Sequence, residues 1–219
     1  MAKAKPAAPA GPEIFDFEQG SDAWRLIRCG LVTASVFGTV MASGRDGGAS
    51  ITRTQLMHKL AGEILTGEPA EEYRNAAMDR GNAMEAEARE AYARLRGDDL
   101  RQVGFVKNFT GLKHCGCSPD SLVGFDGGLE IKTAKPEVLI PLLLKGPQAW
   151  PQEHKAQIQG NLWVCERNWW DLSIYWPKMP PYIARIYRDE IFIADMCKEI
   201  ERFNFELVRL VKQLRKMGA

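Results

Sequence analysis

The chain has 219 residues, 45% of them hydrophobic, and a formal net charge of +1. This length suits one large domain or two small ones, with enough apolar content to bury a core. The near-neutral charge excludes a global electrostatic argument for nucleic-acid binding, so any such case rests on local patches.

Residues 1–12 are an Ala/Pro/Lys run without the apolar core of a signal peptide and read as a disordered tail, with one domain expected over residues 13–219. Residues 20–28 predict a short helix opened by Ser21 or Asp22. Thr33 is a candidate N-cap for a second helix, and residues 43–50 form a glycine-rich loop carrying Arg45. A third helix is expected over 52–66, closed by Gly67, and a fourth, rich in Ala and Glu, over 78–96, closed by Gly97. Strands are expected at 101–108, 112–117, 120–125 and 129–133, then a helix at 151–165 and strands at 171–176 and 184–188. A long amphipathic helix from about residue 190 to 217 closes the chain. This order predicts an α/β fold, a central mixed β-sheet flanked by helices.

The longest apolar run, Val138 to Leu144, is broken by Pro141 and too short to span a bilayer, so no membrane association is expected. Five cysteines are scattered, and Cys115-Gly-Cys117 is too closely spaced for a zinc knuckle, which points to a reducing cytoplasm. The same spacing does not supply a four-cysteine iron–sulfur cluster.

The chemistry concentrates in Ser118-Pro119-Asp120 and Glu130-Ile131-Lys132, separated by the turn signal Phe125-Asp126-Gly127-Gly128-Leu129. On a strand, Glu130 and Lys132 share one face while Ile131 points to the other. A hairpin here folds Asp120 back toward Glu130. Apolar Leu122, Val123, Leu129 and Ile131 place that hairpin inside a sheet, where charges are rare unless paired or metal-bound. Hard divalent ions such as Mg²⁺ take carboxylate oxygens and keep waters for chemistry, so the pattern points to metal-dependent hydrolysis. Trp163, Trp169 and Trp170 read as core packing.

Together with Asp22-Ala-Trp24, Arg28 to Ser35, Gly81-Asn-Ala-Met-Glu85 and Gln157 to Trp163, these motifs resemble the PD-(D/E)XK nuclease superfamily. More closely, they resemble the lambda-type phage exonuclease family, the YqaJ-like viral recombinase nucleases, over roughly residues 15–215. The resemblance implies a restriction-endonuclease-like fold in which Asp120, Glu130 and the Ile131 carbonyl hold Mg²⁺, with Mn²⁺ as a substitute. It implies Lys132 as the residue that orients or deprotonates the attacking water, Glu85 as a third metal-facing acid and Gln157 as a hydrogen-bonding residue of the site. Arg28, Ser35 and Ser118 are implied to bind a terminal 5′-phosphate, and Arg45 and Met78 to contact the duplex end. The expected activity is 5′→3′ digestion of one strand of linear duplex DNA, leaving 3′ single strands for phage-type recombination. The expected assembly is a homo-oligomeric ring, commonly a trimer, and the expected partner a single-strand annealing protein. Rival readings are an endonuclease of the same superfamily and a non-catalytic DNA-binding or assembly module on the same fold.

Overall fold

The computed structural model describes residues 11–44, 48, 50–70, 76–108 and 114–218, without the side chains of residues 76–79, 81 and 82. Strand β1 (Glu13–Phe15) leads to α1 (Asp22–Arg28), whose N-cap Ser21 accepts a hydrogen bond from the Trp24 amide. β2 (Val32–Thr33) follows, then a 3-10 turn over Ala34–Val36 and α2 (Phe37–Met41). The Thr33 side chain does not cap this turn; its hydroxyl meets the Ser35 hydroxyl at 3.2 Å. α3 (Ile51–Thr66) begins at Ser50, which accepts from the Arg53 amide, and ends at Gly67 in the left-handed region at φ 73°. α4 (Ala76–Arg96) is followed by Gly97 at φ 65°.

Next come β3 (Leu100–Arg101), β4 (Phe105–Asn108), β5 (Cys115–Cys117), β6 (Ser121–Val123) and β7 (Gly127–Thr133). The strand expected over 101–108 is therefore two strands, and they enter different sheets. Gly104 lies at the break, where a Cβ would come within 2.0 Å of the Phe17 carbonyl oxygen. α5 (Pro136–Lys145) carries Pro141 inside it and buries only Leu139. A 3-10 turn over Gln152–His154 leads into α6 (Lys155–Val164), then β8 (Trp169–Tyr175), β9 (Tyr182–Tyr187) and α7 (Glu190–Lys216).

The described strands form two mixed sheets, β1-β4-β5-β2 and β3-β6-β7-β8-β9. In the second sheet β7 and β8 run parallel and the other neighbours antiparallel. A parallel pair needs a crossover, and the segment carrying α5 and α6 supplies it. One face of this sheet packs Trp170, Leu172 and Ile174 into the main core with Ile158 and Leu162 of α6 and Met196, Ile200 and Phe203 of α7. The other face packs Leu129, Ile131 and Tyr175 against Ala88, Ala91 and Tyr92 of α4. The hairpin between β6 and β7 is thus held between helices on both faces. This is the mixed α/β architecture expected, with its sheet divided in two.

The two glycines of the turn signal act differently from the expectation. Gly127 and Gly128 lie in β7 itself, and the positive φ, 50°, falls on Gly124. A Cβ on Gly127 would lie 2.1 Å from the Trp169 ring, and one on Gly128 2.2 Å from the Trp170 ring. Both positions are small because tryptophans occupy the neighbouring strand. Trp170 and Trp163 are buried as expected, while half-buried Trp169 stacks under the Arg185 guanidinium at 3.5 Å. No described helix is long and apolar enough to cross a membrane.

Candidate active site

The β6–β7 ladder pairs Ser121 with Leu129, so Asp120 and Glu130 follow as the next pair beyond its last rung. The Asp120 carboxylate continues the ladder in place of a backbone group: its Oδ2 accepts from the Ile131 amide at 2.5 Å. In an extended strand the N–H and C=O of one residue leave the same edge, so the Ile131 carbonyl faces the Asp120 side as well. Glu130 is 3% exposed and accepts from three side chains. Lys132 Nζ reaches its Oε1 at 2.7 Å, Gln157 Nε2 reaches the same oxygen at 2.5 Å, and Asn161 Nδ2 reaches Oε2 at 3.0 Å. Gln157 and Asn161 are four residues apart on α6, which places both on the face turned to the sheet.

The electrostatics favour a cation here. Burial, then the neighbouring Glu130 and Glu85 carboxylates, push the Asp120 carboxyl well above its usual range, against the opposing pull of Lys132 and the Ile131 amide. At Lys132 burial lowers the ammonium's pKa, but Glu130 and Asp120 outweigh it and the net shift is upward. The donors are hard oxygens from Asp120, Glu130 and the Ile131 edge, a set that fits a divalent cation such as Mg²⁺. Among the described residues no three His, Cys, Asp or Glu side chains close into a ready-made cluster. Glu85 illustrates why: its Oε1 pairs with Arg89 Nη2, one helical turn along α4. It still acts on Asp120 through space.

A second group forms around Ser118, two residues before Asp120. Its hydroxyl oxygen accepts from Arg28 Nη1 at 2.8 Å and from Trp24 Nε1 at 2.9 Å. With both lone pairs used, the hydroxyl proton is left to donate to an incoming acceptor. The Arg28 guanidinium lies 4.0 Å from the Trp24 ring centroid. Arg28 and Ser35 line a cavity of about 750 Å³, with Arg25, Lys59 and Leu60 also in its wall. Glu63 fixes that wall, accepting from the Gly30 amide at 2.7 Å and from the Ala70 amide at 3.2 Å. The structure thus bonds Arg28 to Ser118 and sets it with Ser35 in the wall of one cavity. Arg45 lies outside the described residues, and of Met78 only the helical backbone is described.

Three residues of these groups escape sequence reasoning. Asn161 could have been found from its spacing to Gln157. Arg89 donates to the Ser121 hydroxyl at 3.2 Å and to the Asp120 carbonyl at 3.3 Å, fixing the start of β6, but on α4 it is one of several ordinary helix charges. Trp24 becomes a hydroxyl-orienting donor only once β5 is folded beside α1.

A mixed sheet bearing an Asp/Glu-x-Lys hairpin, with helices on both faces, defines a nuclease of the PD-(D/E)XK type. The YqaJ-like viral recombinase domain matches residues 23–168, and the chain belongs to that family. The alkaline exonuclease LHK-Exo from Laribacter hongkongensis is similar in structure at TM-score 0.79 and 29% identity, over 90% of this chain and 98% of that one. Its complex with dAMP matches at TM-score 0.80 and 30% identity over the same shares. A phage-related exonuclease from Haemophilus somnus shares the fold at TM-score 0.61 and 16% identity, over 86% of this chain and 96% of that one. No curated protein gives a significant match.

Proposed function

We propose that the protein is a Mg²⁺-dependent 5′→3′ exonuclease that degrades one strand of linear duplex DNA and leaves 3′ single strands. The observation that carries this reading is the Ser118-Pro119-Asp120 segment, which bonds Arg28 at one end and the catalytic β7 strand at the other. A 5′-phosphate held by Arg28, Ser35 and the Ser118 hydroxyl is tied by two residues to the carboxylate that takes part in hydrolysis. Arginine and an oriented hydroxyl are the donors a phosphate dianion needs. The similarity to an exonuclease crystallised with a nucleoside monophosphate supports end-directed release of mononucleotides.

Asp120, Glu130 and the Ile131 carbonyl would hold the metal, with Mn²⁺ as a substitute. The ion supplies Lewis-acid polarisation of the phosphate and a more acidic water. Lys132 places its ammonium beside Glu130, where it orients the attacking water and balances charge on the phosphate. Gln157 and Asn161 lock Glu130 in one rotamer. Glu85, released from Arg89, is the third acid. The reading extends to a cytoplasmic enzyme with one nuclease domain over residues 13–219. It assembles as a ring, three subunits by resemblance, and passes its product to a single-strand annealing protein. Solution mass three times that of the chain is the expected result, and a monomer active on duplex ends would remove the ring.

The test is digestion with Mg²⁺ of three substrates: linear duplex with 5′-phosphate ends, the same duplex with 5′-hydroxyl ends, and a covalently closed circle. Faster loss of the phosphorylated duplex with the circle intact is expected. Equal cutting of circle and linear DNA would replace this reading with an endonuclease, and no cutting by folded protein would leave a DNA-binding module.

A further inference from the structure

α6 presents a third residue on the stripe that faces Glu130. His154 is its N-cap, three residues before Gln157 and seven before Asn161, spacings that put all three side chains on one helical face. Gln157 and Asn161 both donate to Glu130, so that face is turned toward the catalytic carboxylate. The His154 side chain is half-buried and has no hydrogen-bond partner among the described residues. It lies within electrostatic reach of both Lys132 and Glu130. Its neighbour Lys155 is directed elsewhere, to Asp189 at 2.8 Å, and Gln159 is spent on the Tyr187 carbonyl and the Asp189 amide. A half-buried imidazole on the helical face turned to Glu130, with no hydrogen-bond partner among the described residues, is placed to meet the substrate.

We propose that His154 is a further substrate-contacting residue of the catalytic site, donating a ring N–H to a non-bridging oxygen of the phosphodiester on the strand being cut. Burial, then the Lys132 ammonium, keep the imidazole's pKa below its usual value. It is therefore neutral above neutral pH and offers one donor without adding a fixed positive charge beside Lys132. Division of labour follows from position along α6: Asn161 and Gln157, deeper on the helix, hold the carboxylate, and His154, at its open end, holds the phosphate. The contact is with the substrate, so its loss is felt in turnover rather than in folding.

This inference rests on the hydrolytic reading above, and the experiment separates the two. Single-turnover digestion of a 5′-phosphorylated duplex in Mg²⁺ is compared for wild type, His154→Ala, His154→Asn, His154→Leu and Asp120→Ala. Thermal melting of each is measured, as is affinity for the same duplex in Ca²⁺. Removing one aimed donor to a developing oxyanion typically costs about 10²–10³ in rate. His154→Ala and His154→Leu are expected to slow cleavage by about 10²-fold, with melting temperature unchanged and duplex affinity altered only slightly. His154→Asn, which restores an N–H donor, is expected to recover much of the rate. Cleavage by His154→Ala at the wild-type rate, or an Asn variant no faster than the Leu variant, overturns the proposal while leaving hydrolysis intact. Wild type as inert as Asp120→Ala overturns the hydrolytic reading and the role of His154 with it.

Discussion

At the scale of single residues, the site stores an imbalance of charge. The Asp120 carboxyl protonates more readily in the folded chain than in an unfolded one, where it titrates at about pH 3.9. Below both values the proton count is equal, and as pH rises from about 3.9 through the folded value the metal-free fold loses stability. Asp120→Asn removes that loss and keeps an acceptor for the Ile131 amide. Urea midpoints in EDTA are expected to show this variant more stable than wild type at pH 7.5 and equal to it near pH 3, while activity falls by orders of magnitude. Equal midpoints at pH 7.5 would show that the carboxylate is not under strain. Asn161→Ala has the opposite sign, because it strips a donor from a carboxylate that is 3% exposed. A destabilisation of about 1–3 kcal/mol is expected, read from the same denaturation curves. Of these residues, the acids and the lysine are legible in the sequence because their spacing fixes their face. The donors to Glu130 are less so, since an amide on a helix declares its partner only after the helix is docked.

Elements carry the next set of constraints. β7 and β8 lie in parallel register with Gly127 opposite Trp169 and Gly128 opposite Trp170. Trp170 is fully buried, so it cannot yield to a new methyl group, whereas half-buried Trp169 has room on its solvent side. Gly128→Ala is therefore expected to destabilise by about 1–3 kcal/mol, as overpacked cores do, and Gly127→Ala by less. Equal losses in thermal melting would refute this account of the two glycines. On the opposite face, Asp171 is fully buried and accepts from Tyr92 at 2.7 Å and from Arg185 at 2.8 and 3.0 Å, tying α4 to the β8–β9 hairpin. Asp171→Ala strands the buried Tyr92 hydroxyl and takes the partner from the solvent-reaching Arg185 guanidinium. It is expected to cost about 1–3 kcal/mol, more than Tyr92→Phe, which removes one hydrogen bond without leaving a buried hydroxyl unpaired. Helix ends were readable at Ser21 and Gly67, which do what their types dictate, but not at Thr33, whose hydroxyl meets Ser35 instead of capping. α5 was not readable, because Pro141 interrupts an all-apolar run that has no polar face to give it a period.

Over the whole molecule, the proposed end-recognition group and the proposed catalytic site are joined by a short path rather than by a separate domain. α1 supplies Arg28, β5 delivers Ser118, and β6 begins one residue after Asp120. A substitution at one end of this path is expected to leave the other working. Arg28→Ala should abolish the preference for 5′-phosphate over 5′-hydroxyl ends while preserving slow, metal-dependent digestion of both. An unchanged preference in a competition assay would remove the phosphate role from Arg28. The near-neutral overall charge is consistent with this economy, since the basic groups that matter are local and paired with specific hydroxyls and acids.

Local patterns in the sequence were sufficient for the hairpin and for the shared face of Glu130 and Lys132. Strand alternation and turn residues act over a few positions, and their consequences need no distant contact. Tertiary structure alone decided that Arg28 and Ser118, ninety residues apart, share a hydrogen bond, that α6 lays Gln157 and Asn161 over Glu130, and that two glycines exist to admit two tryptophans. Each of these depends on which elements become neighbours, and that is set by burial of the whole core rather than by the residues that meet there.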